Sequence, residues 1–219
     1  MGNLFNVDNP FFTTISKICD ILFLSVVWLI LCIPIITIGP ASTAMYYAVV
    51  KVIRRERGYL FREFFKSFRM NFKRAAIMGV ILTITFAVLF FDISYSWQLM
   101  NAKASKGSLL FGVFIALTFL ALSFTIYVFP ILSRFEMTVK QLFRATVFMS
   151  MRHILFTLVM AVVTVASAIL IFLIPFLIFF LPATTVLLNS FLMEKVLKKY
   201  MPQSEGSGEE TGKDEWYLD

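Results

Sequence analysis

Two stretches of this chain place hydroxyl and amide side chains directly after a proline: Pro40-Ala41-Ser42-Thr43, and Pro182-Ala183-Thr184-Thr185 followed by Asn189. Such groups do no acid–base work. They donate and accept hydrogen bonds, so the chemistry they offer is holding a solute or tying helices together. Proline opens a helix at little cost, because first-turn N–H groups have no intrahelical partner. Two such helix starts, if they meet, present positive dipole ends and hydroxyls to a common hydroxyl-rich or anionic solute. Ser42, Thr43, Thr184, Thr185 and Asn189 are therefore the candidate solute site.

A second set of residues offers charge. At about 100° per residue, Phe61, Phe64, Phe65, Phe68 and Phe72 fall on one face of a helix over 60–74, and Arg62, Lys66, Arg69 and Lys73 form a stripe beside it. That pattern predicts a surface helix with rings in the acyl boundary and cations toward anionic headgroups or a cytoplasmic partner. Arg144 and Arg152 repeat the arrangement in a stretch from about Val139 to Arg152, and Phe5 to Lys17 is a third such stretch.

Catalytic chemistry finds no footing. His153 is the only histidine, and there is no Gly-rich phosphate loop, no His-Glu-x-x-His and no cysteine cluster. Cys19 and Cys32 both lie in the first apolar run, where packing is their expected role. Asp20, Asp92 and Glu194 fall near the ends of apolar runs, which argues against ion coupling through mid-membrane acids. No enzymatic activity, cofactor, metal or nucleic-acid partner is expected.

The elements that position these groups follow from composition. Hydrophobic residues make up 59% of 219, against roughly 45–50% in soluble domains, and the mean hydropathy is +0.85. The apolar runs are continuous rather than alternating, so they read as helices: an all-α, polytopic membrane protein. Spans are expected at about 18–36, 40–54, 75–97, 108–133, 153–175 and 178–196 in one membrane domain, 1–200, followed by a disordered acidic tail, 201–219, in which Trp216, Tyr217 and Leu218 are a possible recognition tag. No cleavable signal is evident, so the first helix is expected to stay.

Nine basic residues between 51 and 74, against Glu56 and Glu63, mark that loop as cytoplasmic. Arg134, Lys140, Arg144 and Arg152 mark a second basic loop on the same side. Six spans put both termini in the cytoplasm; five, with 40–54 not crossing, put the N-terminus outside. The near-repeat favours six, because Pro34…Pro40…Lys51-Val52-Ile53-Arg54-Arg55 matches Pro175…Pro182…Lys195-Val196-Leu197-Lys198-Lys199 and both segments ask for the same treatment. The second span is then short, tilted or shielded by neighbours.

Asn9-Pro10-Phe11-Phe12, the stretch Ile33-Pro34-Ile35-Ile36-Thr37-Ile38-Gly39-Pro40-Ala41-Ser42-Thr43-Ala44-Met45-Tyr46-Tyr47, Gly58-Tyr59 and Phe61 to Lys73 together resemble the YesL-like integral membrane proteins, a family without an established biochemical activity. The resemblance extends to about Tyr200 and is most specific in the stretch Thr37 to Tyr47. It implies a bacterial cell-membrane protein of the kind often encoded beside carbohydrate ABC transporters, with the bilayer, anionic headgroups and ABC transporter subunits as partners. It carries over no catalytic residues. The function expected is an accessory or membrane component of carbohydrate transport; an independent small-solute transporter or channel, and a scaffold or sensor without transport activity, are the alternatives. The loop at 134–152 holds no permease-type coupling motif, which speaks against a true permease subunit.

Overall fold

Prolines set the ends of the short helices, and their spacing gives the molecule two hairpins of the same build. The computed structural model describes residues 10–102 and 106–200. Helix α1 runs Pro10–Leu31, and Pro34 leads into a 3-10 turn, Ile35–Thr37, before α2, Ile38–Ala48, which continues as a π-helical stretch, Val49–Arg54. Near the other end α6, Ile154–Leu173, meets a 3-10 turn, Pro175–Phe179, and then α7, Leu181–Leu197. Pro40 and Pro182 both fall in a first helical turn, as their missing N–H requires. The turn after α1 is fastened by Thr37 Oγ1, which donates to the carbonyls of Leu31 and Pro34.

Between the hairpins lie α3, Leu60–Asn101, α4, Gly107–Arg134, and α5, Val139–Arg152. The surface helix expected over 60–74 is not a separate element: it is the opening of α3, continuous with the span expected at 75–97. No glycine or proline interrupts residues 60–78, so nothing breaks the helix there. At ~1.5 Å per residue its 42 residues extend about 63 Å, twice the hydrocarbon core of a bilayer. The rings also depart from expectation. Phe64 is buried against Ile21, Leu24 and Ile53, with Phe65 and Phe68 packed on the same cluster, so part of the face expected to meet acyl chains meets α1 and α2 instead. Phe61 and Phe72 remain exposed.

Helix α5 is the amphipathic helix expected over Val139–Arg152. A capping box opens it, with Thr138 Oγ1 accepting from Gln141 N at 3.4 Å and Gln141 Oε1 accepting from Thr138 N at 3.0 Å. Its buried positions are Leu142, Thr146 and Met149, a single stripe. The expected stretch Phe5 to Lys17 runs into α1, and its first residues lie outside those described, as does the whole of 201–219 with its acidic residues and Trp216, Tyr217 and Leu218.

Among the described residues there are helices and no strands, and five helical segments are long and apolar enough to cross a membrane: Thr14–Leu31, Ile35–Arg54, Leu60–Asn101, Gly107–Arg134 and Ile154–Leu173. Helix α7, at 17 residues, falls short of the roughly 20 that a perpendicular span needs. The α2 segment stands apart because 61% of its window is buried inside the bundle, against 6–28% for the other four. It is an internal helix, wrapped by its neighbours.

That enclosure depends on two glycines. A Cβ on Gly39 would run into the Ala75 carbonyl, 2.8 Å from its carbon and 3.1 Å from Gly79 Cα, and one on Gly79 would lie 2.7 Å from Gly39 N. The backbones of α2 and α3 touch here because neither residue has a side chain, as at small-residue crossings in membrane bundles. Gly39→Ala and Gly79→Ala should each destabilise the purified protein by about 1–3 kcal/mol, the usual cost of overpacking. Gly112→Ala, whose Cβ meets nothing within 4 Å, should leave the thermal unfolding midpoint in detergent unchanged.

Candidate functional site

The two hairpins and α4 line a half-open cavity of about 400 Å³. Trp28 of α1, Ser42, Met45 and Tyr46 of α2, the Leu122 to Pro130 turns of α4, Thr164 to Ile171 of α6 and Pro182 to Met193 of α7 contribute to its wall. Three of the five candidate solute residues meet there: Ser42, Thr185 and Asn189. The other two do not line it. Thr43 is fully buried and donates back to Gly39 O at 3.0 Å, and Thr184 donates to Phe180 O at 2.9 Å. The hairpins are joined beside it by Ser25 Oγ, which accepts from Ala183 N at 3.2 Å.

The polar groups of the wall are largely used up on one another. Trp28 Nε1 donates to Ser42 Oγ at 3.1 Å, Thr185 Oγ1 to Ser167 Oγ at 2.7 Å, and Asn189 Nδ2 to Thr164 Oγ1 at 3.0 Å. Thr125, Thr164 and Ser167 also donate to carbonyls one turn back in their own helices. Asn189 Oδ1 is buried without a hydrogen-bond partner among the described residues. The rest of the wall is apolar, so the chamber suits a molecule with much apolar surface and few donors.

Tyr46 and Met193 belong to the wall of this chamber, and next to them sits the most deeply buried ion pair among the described residues. Arg134 Nη2 and Tyr46 Oη both donate to Glu194 Oε1 at 2.7 Å. The two charged side chains are 1% and 6% exposed. Glu194 Oε2 has no hydrogen-bond partner among the described residues. One carboxylate thus links α2, α4 and α7. A second buried pair, Lys51 to Glu63 at 2.9 Å, links α2 to α3, and Arg54 Nη1 donates to Ser190 O at 2.9 Å while its guanidinium lies 4.3 Å from the Phe191 ring. Glu194, expected near a span end, instead pairs inside the bundle, a role that no local pattern shows. The available signal was that an acid between Met193 and Lys195, at the edge of lipid, needs a named partner.

Arg62, Lys66, Arg69 and Lys73 are all exposed along α3, and Arg144 and Arg152 are exposed on α5. Arg152 lies 5.6 Å from the Phe148 ring, beside a surface groove formed with Phe143, Val147 and Met151. His153, between α5 and α6, shares a 3.0 Å hydrogen bond with Tyr200 Oη. Partial burial, then Lys199 and Arg152, hold its pKa below the ordinary value. Cys19 is exposed on α1 rather than packed in the core, and Cys32 is half-buried; both thiols are free. Among the described residues no three His, Cys, Asp or Glu side chains converge where a metal could be held.

Removing one member of the Arg134–Glu194 pair should cost about 3–5 kcal/mol, because the other is left charged and buried, whereas replacing both by apolar residues costs far less. Arg134→Met and Glu194→Leu should each lower the thermal unfolding midpoint strongly. The double variant, with Tyr46→Phe to remove the stranded hydroxyl, should recover most of the loss.

Comparison with known proteins bears on which family shares this plan. The family described as "Protein of unknown function, DUF624" matches residues 21–93, from the middle of α1 through most of α3. The uncharacterized protein YesL of Bacillus subtilis (strain 168) is 24% identical over 177 residues, covering 78% of this chain and 80% of the relative. No solved structure matches. The match to DUF624 takes in most of the first hairpin, the Gly39–Gly79 contact and the Lys51–Glu63 pair, and together with the relative it makes this chain similar to YesL-like, DUF624-type proteins, with the composition and helices of a membrane protein.

Proposed function

We propose that this protein is a multi-pass cell-membrane protein that binds a small, predominantly apolar molecule inside its helical bundle, in a role accessory to transport. The observation that carries the reading is the chamber among α1, α2, α4, α6 and α7, with its polar side chains hydrogen-bonded to one another or to backbone carbonyls and Asn189 Oδ1 left as the acceptor. A free sugar is a poor occupant: each ring hydroxyl buried there without a partner costs about 1–3 kcal/mol. If carbohydrate import is the setting, as the family resemblance implies, the sugar passes through a partner and this chain assists. Contacts from Lys17 to Glu56, Arg54 to Ser190 and Arg134 to Glu194 gather the basic segments at one end of the bundle, and the positive-inside bias assigns that end, with both termini, to the cytoplasm.

Native mass spectrometry of the detergent-purified protein should reveal a co-purifying small apolar or amphiphilic molecule. Asn189→Trp, which puts an indole into the chamber and removes its acceptor, should abolish that adduct. An adduct that survives the substitution, or a wild-type protein that carries none and takes up no added amphiphile, would count against the chamber as a binding site.

A second reading, docking to the cytoplasmic machinery of an ABC-type importer, draws support from α5. Its outward face presents Phe143, Phe148 and Met151 between the exposed Arg144 and Arg152. Under mild detergent the wild type should co-purify with ABC transporter subunits, and Phe148→Ala with Arg144→Glu should reduce recovery several-fold. Loss of sugar uptake in a deletion strain without such recovery would favour an indirect role.

A further inference from the structure

The outward face of α5 carries an open surface groove of about 650 Å³, bordered by two ridges that each climb the helix one turn at a time. One ridge is Phe143, Val147 and Met151; the other is Arg144, Phe148 and Arg152. Phe143, Phe148 and Met151 are each more than half exposed, and the Phe143 ring is braced by Phe124 of α4 at 5.1 Å between centroids. We propose that this groove is the docking site of the chain's own acidic segment, 201–219, with Trp216, Tyr217 and Leu218 against its apolar side chains and Asp214, Glu215 and Asp219 against Arg144 and Arg152. The segment covers α5 in cis, so a partner that uses this face must first displace it. The proposal is independent of the chamber and of what that partner is.

The course of the chain points to this occupant. Tyr200, the last described residue, already sits on the wall of the groove: its ring lies edge-on to Phe148, 6.3 Å between centroids, and its Oη shares a 3.0 Å hydrogen bond with His153 Nε2 at the end of α5. Residues 201–215 separate it from Trp216. A chain of that length spans up to about 50 Å, whereas α5, at 14 residues, is only about 21 Å long. The tag can therefore reach every turn of the helix. Tethering also holds it near its site at an effective concentration on the order of millimolar, so a contact too weak to retain a free peptide suffices.

Charge and side-chain chemistry match as well. Helix α5 carries Lys140, Arg144 and Arg152 and no acid, and none of the three is paired with a carboxylate among the described residues. Arg152 lies instead 5.6 Å from the Phe148 ring. Segment 201–219 holds six of the chain's thirteen acidic residues against the single Lys213, and three of the six flank Trp216-Tyr217-Leu218 directly. Aromatic side chains fill an apolar groove at low entropic cost while carboxylates at the rim fix their register. The basic stripe of α3 offers charge without an equivalent groove, since Phe64, Phe65 and Phe68 pack into the bundle.

The test uses the full chain carrying Cys19→Ser and Cys32→Ser, held in phosphatidylcholine nanodiscs and oxidised with diamide. Met151→Cys with Leu218→Cys should form a disulfide within the monomer several-fold faster than Arg69→Cys with Leu218→Cys, which probes the α3 stripe. Adding Arg144→Glu and Arg152→Glu, both at exposed positions that the bundle tolerates, should slow the α5 bond about tenfold. Asp214→Lys with Glu215→Lys should then restore it, as a general loss of fold would not allow. Equal rates for the α5 and α3 pairs, or a rate indifferent to the charge reversal, overturn the proposal. Disulfide-linked dimers in place of the internal bond assign the groove to a second copy and overturn it too. So does loss of the bond when phosphatidylglycerol replaces phosphatidylcholine, which assigns the face to lipid headgroups.

Discussion

A carboxylate buried at the edge of lipid must have its charge answered within the protein, and the arrangement around Glu194 shows how much of the bundle that requirement organises. Arg134 supplies the countercharge from the end of α4, and Tyr46 supplies a hydroxyl from the middle of α2, both at 2.7 Å. Neither can be satisfied unless the two hairpins and α4 close on one another. Burial of the pair contributes little net stability, since desolvation offsets most of the attraction. What it supplies is register. A one-residue slip of α7 would rotate Glu194 by about 100° and leave two ions in a low-dielectric interior.

The same cluster divides the molecule's internal space. On one side lies a mainly apolar chamber whose few polar side chains are hydrogen-bonded within its wall, and on the other a cavity lined by guanidinium and ammonium groups. Tyr46 and Met193 border the first, and Glu194 borders the second. Two environments of opposite polarity thus lie adjacent, kept apart by side chains that are themselves tied together. The inner helix α2 and the π-helical stretch that continues it contribute to both, through Ser42 and Met45 in the first and Arg54 in the second.

Much of this was legible in the residues. Long apolar runs gave the helices, Pro34 and Pro175 gave the turns, and the repeated Pro-Ala-Ser/Thr-Thr stretch pointed to side chains of which Ser42 and Thr185 do share a wall. Periodicity separated α5 correctly, because Thr138 caps it and Leu142, Thr146 and Met149 form a clean stripe. Periodicity misled at α3 for a physical reason. An amphipathic pattern reports that a face is covered, not what covers it, and Phe64 is buried in a protein cluster that also holds Ile21 and Leu24. Nor could local pattern separate Ser42 from its neighbour Thr43, since adjacent helix positions point about 100° apart and only tertiary placement decides which faces a cavity. Arg134 and Glu194 are 60 residues apart, and nothing local marks them as partners.

The enclosure of α2 also has a consequence for biogenesis. Of the five segments able to cross a membrane it is the least apolar and the most wrapped by protein, and its backbone rests directly on that of α3 at Gly39 and Gly79. Lipid alone is therefore a poor environment for it. As the chain emerges from the ribosome, α1 can partition into the bilayer unaided, but α2 gains its proper surroundings only after residues up to about Gly79 have been synthesised. The first hairpin thus acquires its full packing late, from a helix that follows it in the sequence.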